Sequence, residues 1–245
     1  MRRFGAAIRC LTVLPIGPRG PIAEADLGGS FLWFPLVGLG IGAVLAAVHA
    51  VASRVLSPLA AAACVVLAWV VVTGALHLDG LGDVADGLYA GRTREDRLRI
   101  MKDPHIGTMA VVAVAMCLIL KVAFVSSLLM RDAARALLVV PCVGRYAMVL
   151  LGSTLPSARG GTGTAAPFVK HASTGSLLAA TALTALASWL ALGPFGILLF
   201  STAFLASLLL RSVFRRTLGG ISGDGLGAAG EVTEVLGLFV ILLTG

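Results

Sequence analysis

The sequence predicts an all-α fold, a polytopic bundle of membrane-spanning helices. Of its 245 residues 58% are hydrophobic, only 13% are charged, and the mean hydropathy is +0.98. Soluble domains carry roughly 25% charged residues, so a chain this apolar has too little polar surface to cover itself in water. A helix needs about 20 apolar residues to cross the hydrocarbon core. Seven runs approach that length: Phe31–Val51, Leu59–Leu78, Gly107–Met130, Ala134–Thr154, Ser176–Leu192, Pro194–Leu210 and Leu226–Thr244. The sixth is short and the last contains Glu231 and Glu234, so six to eight spans are expected, about seven, in one integral membrane domain over residues 1–245.

Each remaining segment fits that frame. Glycine and alanine recur inside the runs, as expected where helix backbones approach closely. Met1–Gly20 is basic and broken by Pro15 and Pro18, unlike a cleavable signal peptide. Cys10, Cys64, Cys117 and Cys142 are scattered without metal-ligand spacing and read as small packing residues. The formal net charge of +7 is spread over short loops. It reads as topology, not as a nucleic-acid surface.

Lys and Arg near span ends favour the cytoplasmic side. With the N-terminus inside, fourteen of them fall on inside segments: Arg2, Arg3, Arg9, Arg19, Arg92, Arg94, Arg97, Arg99, Lys102, Arg159, Lys170, Arg211, Arg215 and Arg216. Only Arg54, Arg131 and Arg135 fall outside, so a cytoplasmic N-terminus is predicted. On that topology the acids of 79–103 and those of 224–234 belong to cytoplasmic span ends, although they are distant in sequence. A site built from 77–108 and 211–234 is expected there.

The first acidic motif runs from His77 to Gly87. On a helix Asp79, Asp83 and Asp86 lie within an arc of about 60°. Three anions on one face at the edge of a low-dielectric region repel strongly, and a divalent cation relieves them. Oxygen ligands without thiolates suit Mg²⁺, or Mn²⁺, better than zinc. The interleaved Gly80, Gly82 and Gly87 clear space in which a phosphorylated ligand can reach the backbone. His77 is open between metal ligand, proton acceptor and interfacial hydrogen-bonding residue.

A basic loop follows. Arg92, Arg94 and Arg97 read as ordinary positive-inside charge. Arg99 and Lys102 share a helix face, and with Asp103 they read as substrate contacts, because such cations grip phosphate oxygens. The second motif, Gly219 to Glu234, places Asp224 and Glu231 on one face, behind glycine-rich turns such as that at Gly223, whose N–H groups can receive phosphate. Lys121 and Arg145 lie inside spans, where an ionisable residue is a functional candidate. Lys121 reads as a partner for a buried carboxylate, and Arg145 as able to reach a substrate. Arg159 adds a phosphate contact from the loop after the fourth span.

These motifs together resemble the cobalamin 5′-phosphate synthase family, the adenosylcobinamide-GDP ribazoletransferases, over nearly the whole chain. The resemblance rests on Leu11-Thr-Val-Leu-Pro15, Phe34-Pro-Leu-Val-Gly38, Asp79–Gly87, Met101-Lys-Asp-Pro-His-Ile-Gly107-Thr108, Gly219-Gly-Ile-Ser-Gly-Asp224-Gly-Leu-Gly-Ala228 and Glu231. Ala110 stands where a second glycine is expected, and the Ala158–Gly163 loop lacks an expected acid. The resemblance implies that α-ribazole, or its 5′-phosphate, joins adenosylcobinamide-GDP with release of GMP. Mg²⁺ on Asp79, Asp83, Asp86 and Asp224 would bridge the pyrophosphate. Arg99, Lys102 and Arg145 would offset its charge, and a carboxylate or His77 would take the hydroxyl proton. The expected location is the inner (cell) membrane, with the lipid bilayer as partner and the number of chains per assembly left open. Two other readings are a CDP-alcohol phosphotransferase, whose Asp-Gly-x-x-Ala-Arg opening is absent here, and a secondary transporter, whose site belongs near the midplane.

Overall fold

A computed structural model describes residues 2–17, 20–128 and 130–244, so Arg19 and the side chain of Arg131 fall outside it. The chain is helical throughout: α1 (Arg2–Leu11), α2 (Glu24–Gly29), a 3₁₀ turn (Ser30–Trp33), α3 (Phe34–Ala52), α4 (Pro58–Thr73), α5 (Leu76–Ala90), α6 (Arg94–Ile100), α7 (Thr108–Ser127), α8 (Met130–Thr154), α9 (Ala166–Lys170), α10 (Thr174–Leu192), α11 (Pro194–Thr217) and α12 (Gly223–Leu242). Among the described residues six helices are long and apolar enough to cross a membrane. Counting the bent pair α4–α5 as one span makes seven.

The second predicted span departs from expectation. Hydropathy predicts a continuous run over Leu59–Leu78, yet α4 stops at Thr73 and α5 leaves it at 88°. Gly74 (φ 61°) and Ala75 (φ 56°) are both left-handed, and two such residues in succession turn the chain. The conformation is cheap for glycine and strained for alanine. The loop after α1 braces the corner: the Val13 N–H donates to the Val72 carbonyl at 2.9 Å. A Cβ on Gly74 would come within 2.5 Å of the Val13 side chain. The bend frees α5 to carry its acids along the rim of the bundle.

Helix α8 is the central post. Val139, Val140, Val143 and Leu151 along it are fully buried. Gly38 of α3 lies so close that a Cβ there would meet the Pro141 carbonyl at 2.6 Å. Small residues permit this backbone contact, which side-chain hydrogen bonding is not needed to sustain. By contrast α10 and α11 expose large apolar side chains such as Leu190, Leu205 and Leu209, as lipid-facing helices do.

One end of the bundle collects α6, the starts of α7 and α12, and the ends of α8 and α11. Arg94 fastens it, donating from Nε to the Leu218 carbonyl and from Nη2 to the Ala158 carbonyl, both at 2.8 Å. Arg97 donates to the carbonyls of Gly91 and Thr217, each at 3.1 Å. The segments 156–158 and 221 pair through Ile221 N–H to the Pro156 carbonyl (2.8 Å) and Ala158 N–H to the Ile221 carbonyl (2.9 Å). Both acidic motifs therefore share one end of the molecule.

Candidate active site

Helix α5 runs unbroken through the first acidic motif, so Asp79, Asp83 and Asp86 do fall on one face. Helix α12 begins at the second motif, with the Ser222 hydroxyl accepting from the Gly225 N–H at 3.0 Å. The two helices touch backbone to backbone. A Cβ on Gly80 would lie 2.7 Å from the Asp224 carbonyl, and one on Gly227 would lie 3.0 Å from the His77 Cα. That contact corrects the expectation that the glycines leave room for a ligand. Gly80 is filled by α12, Gly82 faces Ala110, and Gly87 faces Met101.

The close crossing sets Asp83 in the field of Asp224, Asp79 and Asp86, with Arg159 as the opposing cation. Arg159 Nη2 lies 3.4 Å from Asp224 Oδ2. Asp79 and Asp83 take no hydrogen bond or ion pair from another described residue. Three cavities meet around these carboxylates. The largest, 750 Å³, is walled by Asp79, Asp83, Asp86, Lys102, Asp103 and apolar residues of α7. A small one of 260 Å³ is walled by Lys102, Ser157, Arg159, Thr162, Thr164 and the α12 start at Gly223 and Asp224. The third, 470 Å³ and mostly apolar, reaches from Phe34 and Phe168 to His77, Asp79 and Asp224. Asp79 belongs to the first and third, Asp224 to the second and third, and Lys102 to the first and second.

Several expected site residues are placed differently. Asp86 is engaged: its carboxylate accepts the N–H of Gly107 at 2.7 Å and of Ala110 at 2.9 Å, capping α7. Glu231 and Arg145, expected at the substrate, are 2% and 0% exposed and cannot touch it in this arrangement. They belong to a closed network in which Lys121 Nζ donates to Glu231 at 2.7 Å and to Glu234 at 2.6 Å, and Arg145 pairs with Glu234. Lys121 thus has the buried carboxylate partners that its position in a span predicts. His77 is also buried, with Nδ1 3.4 Å from Arg145 Nη2 and Nε2 without a partner. Arg99 is exposed, 3.4 Å from Asp96, and lines none of the three cavities. Asp103 lines the large cavity, and the His105 N–H and ring hold its carboxyl below the usual carboxylate range.

Among the described residues no three His, Cys, Asp or Glu side chains converge as a ready-made metal cage. The expected four-aspartate ligand set is therefore not drawn to one point. The donor chemistry still fits magnesium, which commonly takes one or two carboxylates and completes its shell with waters and substrate phosphate. Asp83, without a donor among the described residues, and Asp224, on the facing helix and 3.4 Å from Arg159, offer two carboxylates of that kind.

Sequence reading missed Arg94 and Arg97, whose hydrogen bonds to carbonyls are indistinguishable in sequence from topological charge. It also missed Thr164, which walls two cavities. The spacing of Glu231 and Glu234 one turn apart was the available signal for the buried network.

A family model described as cobalamin-5-phosphate synthase matches residues 3–242. A relative from Syntrophobacter fumaroxidans is 39% identical, over 95% of this chain and 95% of its own. One from Geotalea daltonii is 36% identical over 100% and 98%, and one from Acetivibrio thermocellus 32% identical over 99% and 98%. All three are named adenosylcobinamide-GDP ribazoletransferase. No solved structure matches.

Proposed function

This chain belongs to the cobalamin-5-phosphate synthase family, and we propose how its residues divide the transfer of an adenosylcobinamide phosphate group from adenosylcobinamide-GDP to α-ribazole or its 5′-phosphate. An acceptor hydroxyl attacks the cobinamide-side phosphorus of the pyrophosphate. The bond from that phosphorus to the bridging oxygen breaks, and GMP leaves. The observation that carries this reading is that three cavities share walls at Asp79, Asp224 and Lys102, with Asp83 on the wall of the largest. The reaction has the same shape, because the corrinoid, the departing GMP and the ribazole hydroxyl all converge on one phosphorus.

Asp79 walls both the apolar and the large cavity, so it is the carboxylate placed to accept the hydroxyl proton. Asp83 and Asp224 would hold Mg²⁺, which when bound stabilises charge on the pyrophosphate and its leaving group. Lys102, Arg159 and the N-terminus of α12 present positive charge to phosphate oxygens at fixed positions, which favours the charge-rich transition state. Asp86 acts one step back, by fixing the start of α7 beside the large cavity. The family and the names of the relatives favour this chemistry over the CDP-alcohol and transporter readings.

The excess of Lys and Arg on the carboxylate end supports a cell-membrane location with that end in the cytoplasm. Cysteines placed singly at Thr93 and Ser57 in whole cells test it: a membrane-impermeant maleimide should label Ser57→Cys and spare Thr93→Cys. The activity is tested by mass spectrometry after incubating the full chain with adenosylcobinamide-GDP, α-ribazole and Mg²⁺. A corrinoid that has gained ribazole, with one GMP per product, is expected, and chelation should stop the reaction until Mg²⁺ or Mn²⁺ is restored. GMP release without gain of ribazole would overturn the transfer.

A further inference from the structure

We propose that the 470 Å³ apolar cavity between α1, α2, α9 and the α5–α12 crossing is the seat of the acceptor's benzimidazole base. The inference rests on the transfer reading above and adds where one substrate sits and what selects it. Its volume falls within the ~300–1,000 Å³ of small-molecule sites.

The wall chemistry chooses among the three groups the reaction brings together. Leu27, Phe34, Met148, Pro167, Phe168 and Leu226 give the cavity its apolar lining. Phe168 stands in an aromatic cluster, 5.3 Å from the Phe31 ring and 5.9 Å from that of Phe34. A flat bicyclic ring gains stacking and burial there. Guanine carries donors and acceptors around its edge, and among the aromatic and aliphatic side chains they go unpaired, at ~1–3 kcal/mol each. The polar groups of this cavity, Arg9, Thr164, Asp79 and Asp224, lie outside that apolar set. The corrinoid is a macrocycle fringed with amides and meets the same objection. A dimethylbenzimidazole base is apolar except for one unsubstituted ring nitrogen, an acceptor.

His77 supplies the matching donor. An arginine only donates, so the 3.4 Å approach of Arg145 Nη2 to Nδ1 favours the tautomer of His77 with its proton on Nε2. That Nε2–H is buried and has no partner, and His77 lines this cavity. A buried unpaired donor is costly; Nε2 itself is closed off from the cavity, so the His77 ring must turn toward an entering acceptor to remove that cost. The far wall of the cavity is Asp79, Gly223 and Asp224. A base held among the aromatics therefore delivers its ribose to the reacting carboxylates.

The test measures acceptor binding without donor, by calorimetry on the full chain in detergent with α-ribazole as titrant. Two variants leave the carboxylates intact: Phe168→Ala removes the stacking face, and Leu27→Trp fills the cavity. Phe168→Ala should weaken α-ribazole binding by about 5–10-fold, and Leu27→Trp by at least ~10-fold, while the KM for adenosylcobinamide-GDP stays within about twofold. An indole nucleoside, which lacks the ring acceptor, should bind ~10-fold more weakly than α-ribazole. Wild-type affinity for α-ribazole in both variants, as expected if lipid or guanosine fills the cavity, would overturn the assignment. So would a donor KM that rises in step with acceptor binding. A wild-type chain that binds α-ribazole with this variant pattern but releases no GMP would keep the base seat and sink the transfer reading instead.

Discussion

Helix α12 carries two layers of charge, an outer one shared with α5 and a deeper one shared with α7 and α8, that the fold treats in opposite ways. In the deeper layer Lys121 and Arg145 face Glu231 and Glu234, two cations against two anions, all at most 3% exposed. Lys121 Nζ also sits 4.1 Å from the Trp69 ring centroid. In the outer layer Asp79, Asp83 and Asp224 face one another with Arg159 as the nearest counter-charge, 3.4 Å from Asp224. A neutral, closed cluster holds helices together, whereas an unbalanced one beside three cavities leaves attraction for a ligand. The deeper layer is structure and the outer layer is site.

The largest expected effect breaks the outer layer. Asp83→Asn should lower Mg²⁺-dependent GMP release by at least ~10²–10³-fold, the scale of losing one group that stabilises transition-state charge. Its melting temperature should not fall, because Asp83 takes no hydrogen bond or ion pair from another described residue. Near-normal turnover in this variant would remove Asp83 from the site. The deeper layer should respond the other way. Lys121→Met strands Glu231 without a cation and leaves Glu234 to Arg145 alone, and should cost about 3–5 kcal/mol of stability in thermal or denaturant unfolding in detergent. Adding Glu231→Gln to that variant should restore part of the loss. A Lys121→Met protein as stable as wild type but inactive would move the deeper layer into the reaction.

Between the layers and the loops stands Arg94, which bridges Ala158 and Leu218. Arg94→Ala should cost about 1–3 kcal/mol, since it leaves buried carbonyls without a charged donor. It should also raise the KM of the acceptor more than that of Mg²⁺, because the clamp sets the loop carrying Arg159 and Thr164. Equal effects on both would place Arg94 in the general scaffold.

How far each layer was legible in sequence follows from geometry. The spans were readable because hydropathy and length alone define them, and six of seven predicted runs match helices within a few residues at most ends. Lys121 was readable as a partner of a buried acid because lipid penalises any other arrangement. The right-angle corner was not, since nothing in the sequence marks Ala75 as left-handed. Nor was depth. Asp224 and Glu231 share a helix face by period, but seven residues are also about 10 Å along the axis, enough to carry Glu231 from the rim into the core. Periodicity reports the face and is silent about the layer.

Asp86 is the sharpest case of that ambiguity, because it shares the face of Asp79 and Asp83 yet caps α7. Both carboxylate oxygens accept backbone N–H groups, from Gly107 and Ala110. A cap of this kind is worth about 0.5–2 kcal/mol, so Asp86→Ala should lower stability by that amount. It should lower turnover less than Asp83→Asn does and leave the Mg²⁺ concentration for half-maximal activity unchanged within about twofold, since a residue that holds a helix start works through position and not through the ion. Titrating Mg²⁺ against GMP release in both variants separates the roles. A midpoint raised tenfold or more in Asp86→Ala with unchanged melting would make Asp86 a ligand, and the line between site and scaffold would then run one helical turn further along α5.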